Sequence, residues 1–250
     1  MDFGLKGKVA LVTGGASDVG RAIALGLAAE GASVAVNYRS SAAEAEAIAA
    51  EISAKGGKAK AYKADVADFA SVNSMVDAVV KDFGGVNILI NNAGLAKRQR
   101  FVETTPEDWH RQIDACLYGA IHCCHAVAPH LDAAKNGRIV SVVGDSSRVG
   151  ESGLAIVAAA RAGAIALMKS LAREFGRSGT TANTVSLGLV ETPHDKEWVD
   201  ANREKLVKLY PVHRLGLPGD VAPMVTLLAS PQSGWITGQV ISVSGGFSMV

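Results

Sequence analysis

Val9-Ala10-Leu11-Val12-Thr13-Gly14-Gly15-Ala16-Ser17-Asp18-Val19-Gly20 is the stretch that decides the fold of this chain. The short apolar run Val9–Thr13 suits a strand buried on both faces. Gly14, Gly15 and Gly20 then permit a tight turn into a helical pattern, Gly20–Glu30. A turn of this kind aims backbone N–H groups, and the positive end of a helix, at a bound anion. Asp18 interrupts that logic. Its carboxylate sits where it can act as N-cap to the helix, in the electrostatic niche that a phosphate would fill.

Outward from this turn the same alternation repeats. Apolar strand-like runs fall at Val34–Tyr38, Ala59–Ala64, Ile88–Asn91, Arg138–Val143, Ala182–Leu187 and Val240–Val243. Helical patterns lie between them at Ala42–Ala54, Phe69–Phe83, Pro106–Ala128, Leu154–Gly176 and Gly219–Leu228. Continuous apolar strands separated by helices predict a parallel sheet with helices on both faces, and right-handed crossovers make it doubly wound. The expected architecture is one α/β Rossmann-like domain over residues 1–250. The charged stretch Glu191–Pro211 breaks the alternation and reads as a mobile loop over the ligand crevice.

Composition narrows the class. The 250 residues carry 25 basic and 24 acidic side chains, a net charge of +1, which argues against a nucleic-acid or membrane surface. Cys116, Cys123 and Cys124 are too few and too clustered for a disulfide framework and favour a reducing compartment. The amino terminus has no apolar targeting segment. The longest apolar run, Leu154 to Met168, is broken by Arg161 and reads as too short to span a bilayer. A cytoplasmic location is expected.

The Gly-rich turn, Asp65-Val66, Asn91-Asn92-Ala93-Gly94, Thr237-Gly238-Gln239 and Gly245-Gly246 together resemble the short-chain dehydrogenase/reductase family, in order and over essentially the whole chain. The resemblance implies a seven-stranded sheet and a dimer or tetramer built on the helices Pro106–Ala128 and Leu154–Gly176. It also implies a dinucleotide site at Gly14, Asp18, Gly20, Arg39, Asp65, Val66, Asn91, Ala93 and Gly94. The position of Asp18 is normally Gly in that pattern, so the site reads as vestigial, with no cofactor held tightly by this chain. At the end of the second strand stand Asn37, Tyr38 and Arg39. An acidic residue there would favour NAD, whereas Arg accommodates a 2′-phosphate, so a cofactor bound here would be NADP.

The chemistry implied by the resemblance needs four side chains. A Tyr moves the substrate proton, a Lys one helical turn later lowers its pKa, a Ser polarises the carbonyl, and an Asn supports a relay water. This chain places Val157, Arg161, Gly144 and Cys116 at those positions. Valine transfers no proton, and arginine, with a pKa above about 12, is no acid–base group near neutrality. Asp145 and Ser146 follow the missing Ser directly and are the candidate substitutes, with Tyr118 nearby. Arg161 could then anchor an anionic substrate. That arrangement is similar to halohydrin dehalogenases, except that their Tyr is absent here. His122-Cys123-Cys124-His125 offers two ligands on one helical face, but structural zinc wants four, so core or interface packing is the reading and no metal is expected. His194 and His213 flank the charged insertion and read as surface residues.

The expectation is therefore a non-catalytic subunit of a heteromeric NAD-dependent 3-hydroxyacyl-CoA dehydrogenase. NAD would be bound at an active paralogous partner, and the acyl-CoA would be the substrate of the complex. Such pairs exist in the resembled family, among them one that oxidises a hydroxybenzylsuccinyl-CoA. Gly144–Ser152 is similar to the loop of hydroxyacyl-CoA dehydrogenases from that chemistry. The alternative is a self-sufficient NADP-dependent oxidoreductase with rewired catalytic residues.

Overall fold

The computed structural model describes residues 2–193 and 196–250. Seven parallel strands, β1 (Val9–Val12), β2 (Ser33–Tyr38), β3 (Lys58–Lys63), β4 (Ile88–Asn91), β5 (Arg138–Gly144), β6 (Thr181–Leu187) and β7 (Val240–Val243), form one sheet in the order β3-β2-β1-β4-β5-β6-β7. The order reverses between β1 and β4, and at such a switch point the carboxyl ends of the strands open a crevice. The doubly wound, single-domain α/β fold expected from the sequence is the observed one.

Helices α1 (Asp18–Ala29), α2 (Ala42–Ala54), α3 (Phe69–Phe83), α4 (Pro106–Ile113), α5 (Gly119–Ala134), a short α6 (Ser146–Val149), α7 (Ala155–Phe175), α8 (Lys196–Val207) and α9 (Pro218–Ala229) cover the two faces. One apolar layer joins β1, β2 and β4 to α1, α2 and α9 through Ile23, Leu27, Ile48, Val221 and Leu228. The other sets Leu11, Leu89 and Ile139 against α3, α5 and α7 through Val72, Val79, Val127 and Met168.

Three sequence expectations change in the structure. The predicted helix Pro106–Ala128 is two helices joined by a π-helical turn, Asp114–Tyr118, and the second runs on to Ala134. Such insertions often mark functional sites, and Cys116 lies inside this one. The charged stretch read as a loop contains α8, because its charges fall at helical spacing: Lys196 pairs with Asp200 and Arg203 with Asp200. Arg203 also clamps Glu191 at 2.7 Å. The apolar run read as too short for a bilayer belongs to a helix that is long and apolar enough to cross one by length and composition. In this fold α7 instead buries Val157, Ala160, Ala164, Met168 and Ala172.

Candidate active site

The Gly-rich turn is built by backbone contacts. Gly14 adopts φ +58°, and its N–H donates to Asn37 Oδ1 at 3.2 Å. A Cβ on Gly20 would overlap the Gly14 carbonyl oxygen and approach Asn92 Nδ2 to 2.6 Å. Thr13 Oγ1 accepts from the N–H groups of Asn92 and Ala93 at 2.9 and 3.0 Å and donates to Ile90 O at 3.1 Å. One hydroxyl therefore ties the ends of β1 and β4 together beneath the crevice. Its importance was not drawn from the sequence, although its place between the strand and Gly14 is a usable signal.

Asp18 is the first residue of α1 rather than its N-cap; Ser17, with extended φ −147°, holds the cap position. Asp18 itself has φ +50°, a left-handed conformation that glycine adopts more readily than aspartate. This accounts for the preference for Gly there. Gly14, Ser17, Asp18, Val19 and Gly20 face Asn92, Ala93 and Gly94 across a groove of about 260 Å³.

A second, adjoining groove of about 190 Å³ runs past Tyr38, Arg39, Ser40 and Ser41 to Asp65, Val66 and Gly94. Expected cofactor residues thus line one continuous path, with one correction. Asn91 does not reach it: the side chain is buried, with its amide toward Cys124 Sγ at 3.3 Å and Ser141 Oγ at 3.5 Å. Asn37, read as part of the cofactor-choosing trio, is also buried, and it donates to Ala64 O at 3.1 Å. Its work is to bind the turn to β2 and β3. Arg39, Ser40 and Ser41 remain at the open end. The donors and the glycine cradle fit a dinucleotide.

The second half of the site holds the replaced side chains. Val157 is fully buried and packs with Cys116 and Ala160, flanked by Ile113, Leu117 and Leu154. The position of the missing Tyr is therefore filled with apolar core. Cys116 Sγ bridges Leu95, accepting from its N–H at 3.4 Å and donating to its carbonyl at 3.3 Å. Cysteine here braces the loop that follows β4.

The candidate substitutes separate. Asp145 is 1% exposed. Its Oδ1 accepts from the hydroxyls of Ser186 and Ser242 on β6 and β7. Its Oδ2 is buried without a hydrogen-bond partner among the described residues. Walled in by two strands, Asp145 is not a base for the crevice, contrary to its candidacy. Tyr118 points outward, 49% exposed, against the His122 ring.

Ser146 behaves differently. An atom at the Cβ position of Gly144 would lie 3.3 Å from Ser146 Oγ and 3.2 Å from Arg161 Nη1. An atom at the Cβ position of Gly94 would lie 3.3 Å from Arg161 Nη2 and 3.3 Å from Cys116 Sγ. The guanidinium thus spans the gap between the ends of β4 and β5, and the absence of side chains at Gly94 and Gly144 is what admits it. A hydroxyl and a cation converge on the point where the missing Ser would have stood.

The His-Cys-Cys-His cluster serves packing. His122 Nδ1 lies 2.9 Å from Val66 O, and Phe69 packs against the rings of His122 and His125. Burial holds the Cys123 thiol far above its usual range and pushes Cys124 up to about 12, so both stay protonated near neutrality. His213 is exposed with φ +55°; His194 lies outside the described residues.

Comparison with known proteins sets this geometry in a lineage. The family model described as Enoyl-(Acyl carrier protein) reductase matches residues 14–248. The 3-oxoacyl-[acyl-carrier-protein] reductase FabG of Staphylococcus epidermidis is 38% identical, with 97% of this chain and 99% of that protein covered. The (2S)-[(R)-hydroxy(phenyl)methyl]succinyl-CoA dehydrogenase subunit BbsD of Thauera aromatica is 36% identical, with 99% of each covered. Among solved structures, a blue fluorescent protein from a metagenomic library, in complex with NADPH, superposes with TM-score 0.92 at 34% identity, covering 98% of this chain and 99% of that one.

These matches overturn the reading of the chain as a non-catalytic subunit, since a full-length relative is a reductase; with a structural neighbour in complex with NADPH, they give no support to the expectation that no cofactor is held. The oxidoreductase alternative fits better. In the crevice the Ser146 hydroxyl and the Arg161 guanidinium stand 3.3 and 3.2 Å from the Cβ position of Gly144. From its sheet order, its glycine turn and its full-length relatives, the chain belongs to the short-chain dehydrogenase/reductase family.

Proposed function

We propose that the chain is a cytoplasmic NADP(H)-dependent oxidoreductase that interconverts a carbonyl and a hydroxyl group on an acyl substrate, with rewired catalytic residues. The observation that carries this is the convergence of Ser146 Oγ and Arg161 Nη1 on one point beside Gly144. Gly14, Ser17, Val19 and Gly20 would hold the pyrophosphate, and Asp65 and Val66 the adenine side. Arg39 and Ser40 would take the 2′-phosphate. When bound, the nicotinamide supplies or accepts hydride.

The chain's own residues handle the substrate oxygen. The Ser146 hydroxyl donates to the carbonyl oxygen, and the fixed charge of Arg161 stabilises the negative charge that develops there. Arg161 does not itself give up a proton, so the alkoxide is protonated through the hydroxyl of Ser146, which is reloaded from water. The reductase relatives support a 3-oxoacyl thioester as the substrate class. Free, buried cysteines accord with a reducing compartment. We place the contact with a second short-chain subunit on the outer face of α5, where Tyr118 and Ile121 of that region are exposed.

The test is NADPH consumption by the purified chain with acetoacetyl-CoA, beside a direct titration of NADPH. Turnover that NADH supports poorly is the expected result. An intact chain that binds NADPH and turns over neither acetoacetyl-CoA nor its 3-hydroxy counterpart would sink the proposal.

A further inference from the structure

We propose that Arg161 is an anion anchor, and that the natural substrate presents it with a carboxylate close to the reacting carbonyl. The proposal rests on the oxidoreductase reading and narrows its substrate class, to an oxoacyl or hydroxyacyl compound that also carries a free carboxylate one or two carbons from the carbon that changes oxidation state.

Arg161 is only partly exposed, yet no carboxylate, carbonyl or hydroxyl among the described residues pairs with it by hydrogen bond or ion pair. Other arginines near this end of the sheet are engaged: the partly covered Arg148 with Ser242, and the exposed Arg98 and Arg203 with Glu151 and Glu191. An arginine lowered into a protein cleft without a counter-charge is costly unless a ligand supplies one.

Its orientation gives the ligand a shape. Nη1 faces the Gly144 position beside Ser146, and Nη2 faces the Gly94 position beside Cys116. Gly94 is exposed, on the wall shared by the two grooves described above. The two nitrogens of one planar fork thus look to neighbouring points, one with a hydroxyl donor and one without. Planar bidentate recognition is what arginine offers and lysine does not. A substrate whose carbonyl oxygen sits between Ser146 and Nη1, and whose carboxylate oxygen meets Nη2, satisfies the fork with its own two adjacent acceptors. A neutral ketone would leave one nitrogen and the net charge uncompensated.

The experiment separates this from the redox reading because it needs no turnover. Malonate is titrated into the full-length chain by calorimetry without cofactor, with malonamide as the uncharged control, and repeated with saturating NADP. The expected result is malonate binding, no malonamide binding, and malonate affinity kept or improved with NADP present. Arg161→Ala should weaken malonate by about 10- to 100-fold, and Arg161→Lys should fall between, with melting temperatures confirming that each variant folds.

Equal binding of malonate and malonamide, or malonate binding unchanged in both variants, would overturn the proposal. Displacement of malonate by NADP would also overturn it, by assigning Arg161 to the cofactor's phosphates or ribose. In the turnover assay, 3-oxo acids should be preferred over their methyl esters at least tenfold in kcat/KM, and the preference should vanish in Arg161→Ala. Absence of any turnover alongside specific malonate binding would fault the oxidoreductase reading and leave the anion anchor standing.

Discussion

The two halves of the crevice are made of different material. On the β1–β2 side the anion-binding features are backbone: the φ of Gly14, the forced closeness of Gly20 to Gly14, and N–H groups tied by Thr13 and Asn37. On the β5–β6 side the working groups are side chains at the ends of a strand and on one helix. The first half keeps the family pattern almost intact, and the second has lost all four expected side chains. The difference has a physical origin. A site made of backbone geometry has few other sequences that can build it, because a single Cβ on Gly20 collides with main chain. A site made of side-chain tips can be rebuilt from a neighbouring residue, provided that the new group reaches the same point. On the proposed function Ser146 and Arg161 do so, whereas Asp145, one residue away, is held by Ser186 and Ser242.

The largest effect that would break this comparison is at Ser146. Ser146→Ala removes the hydroxyl that stands 3.3 Å from the Gly144 Cβ position, and kcat should fall by about 10²- to 10³-fold while NADPH affinity holds. Adding Gly144→Ser to that variant should recover part of the loss. The new Cβ would lie 3.2 Å from Arg161 Nη1, and the end of a flexible arginine can move to admit it. Steady-state kinetics with NADPH titration checks both. An unaffected kcat in Ser146→Ala would show that the second half was not rebuilt from this residue.

Gly20→Ala tests the first half. The methyl group must displace the Gly14 carbonyl, so the turn opens and NADPH binding should be lost, with about 1–3 kcal/mol of destabilisation. For a chain of this size that lowers the melting temperature by about 2–10 °C. Thermal melts with and without NADPH measure both. Undiminished stabilisation by NADPH would remove the turn from the cofactor site. A smaller change is expected at Arg39: Arg39→Ala should reduce the preference for NADPH over NADH by about tenfold with little change in stability, as read by paired kcat/KM values.

Much of the fold was legible because the strands are short apolar runs that only a sheet covered on both faces can bury. Ile88–Asn91 and Val240–Val243 have the predicted bounds in the structure. Helix α8 was hidden by its charge: without a continuous apolar face, the i,i+4 pairs of Lys196 and Asp200 were the only signal. The π-helical turn at Cys116 has no periodicity of its own and cannot be read from hydrophobic spacing. At the site, aligned positions revealed which side chains were missing. They could not reveal that the Ser146 hydroxyl stands 3.3 Å from the Gly144 Cβ position while Asp145 turns into β6 and β7, since α6 starts between them and a rotation of one residue decides where each side chain lies.

Asp18 carries the smallest and most discriminating prediction. Two separate costs meet there, a left-handed backbone that disfavours a side chain and a negative charge on the groove where a pyrophosphate would lie. Asp18→Gly relieves both, whereas Asp18→Asn relieves only the charge and keeps a residue type tolerant of that conformation. If the charge dominates, both variants should tighten NADPH binding by a similar factor, about 2- to 10-fold, with the gain shrinking as salt is added. If the backbone dominates, only the glycine variant should gain, and the gain should be indifferent to salt. NADPH titrations of the three proteins at low and high ionic strength decide between them. No gain in either variant would mean that the backbone-built half of the crevice already accommodates its one departure from the family pattern, and that the comparison between the halves is sharper than their sequences suggest.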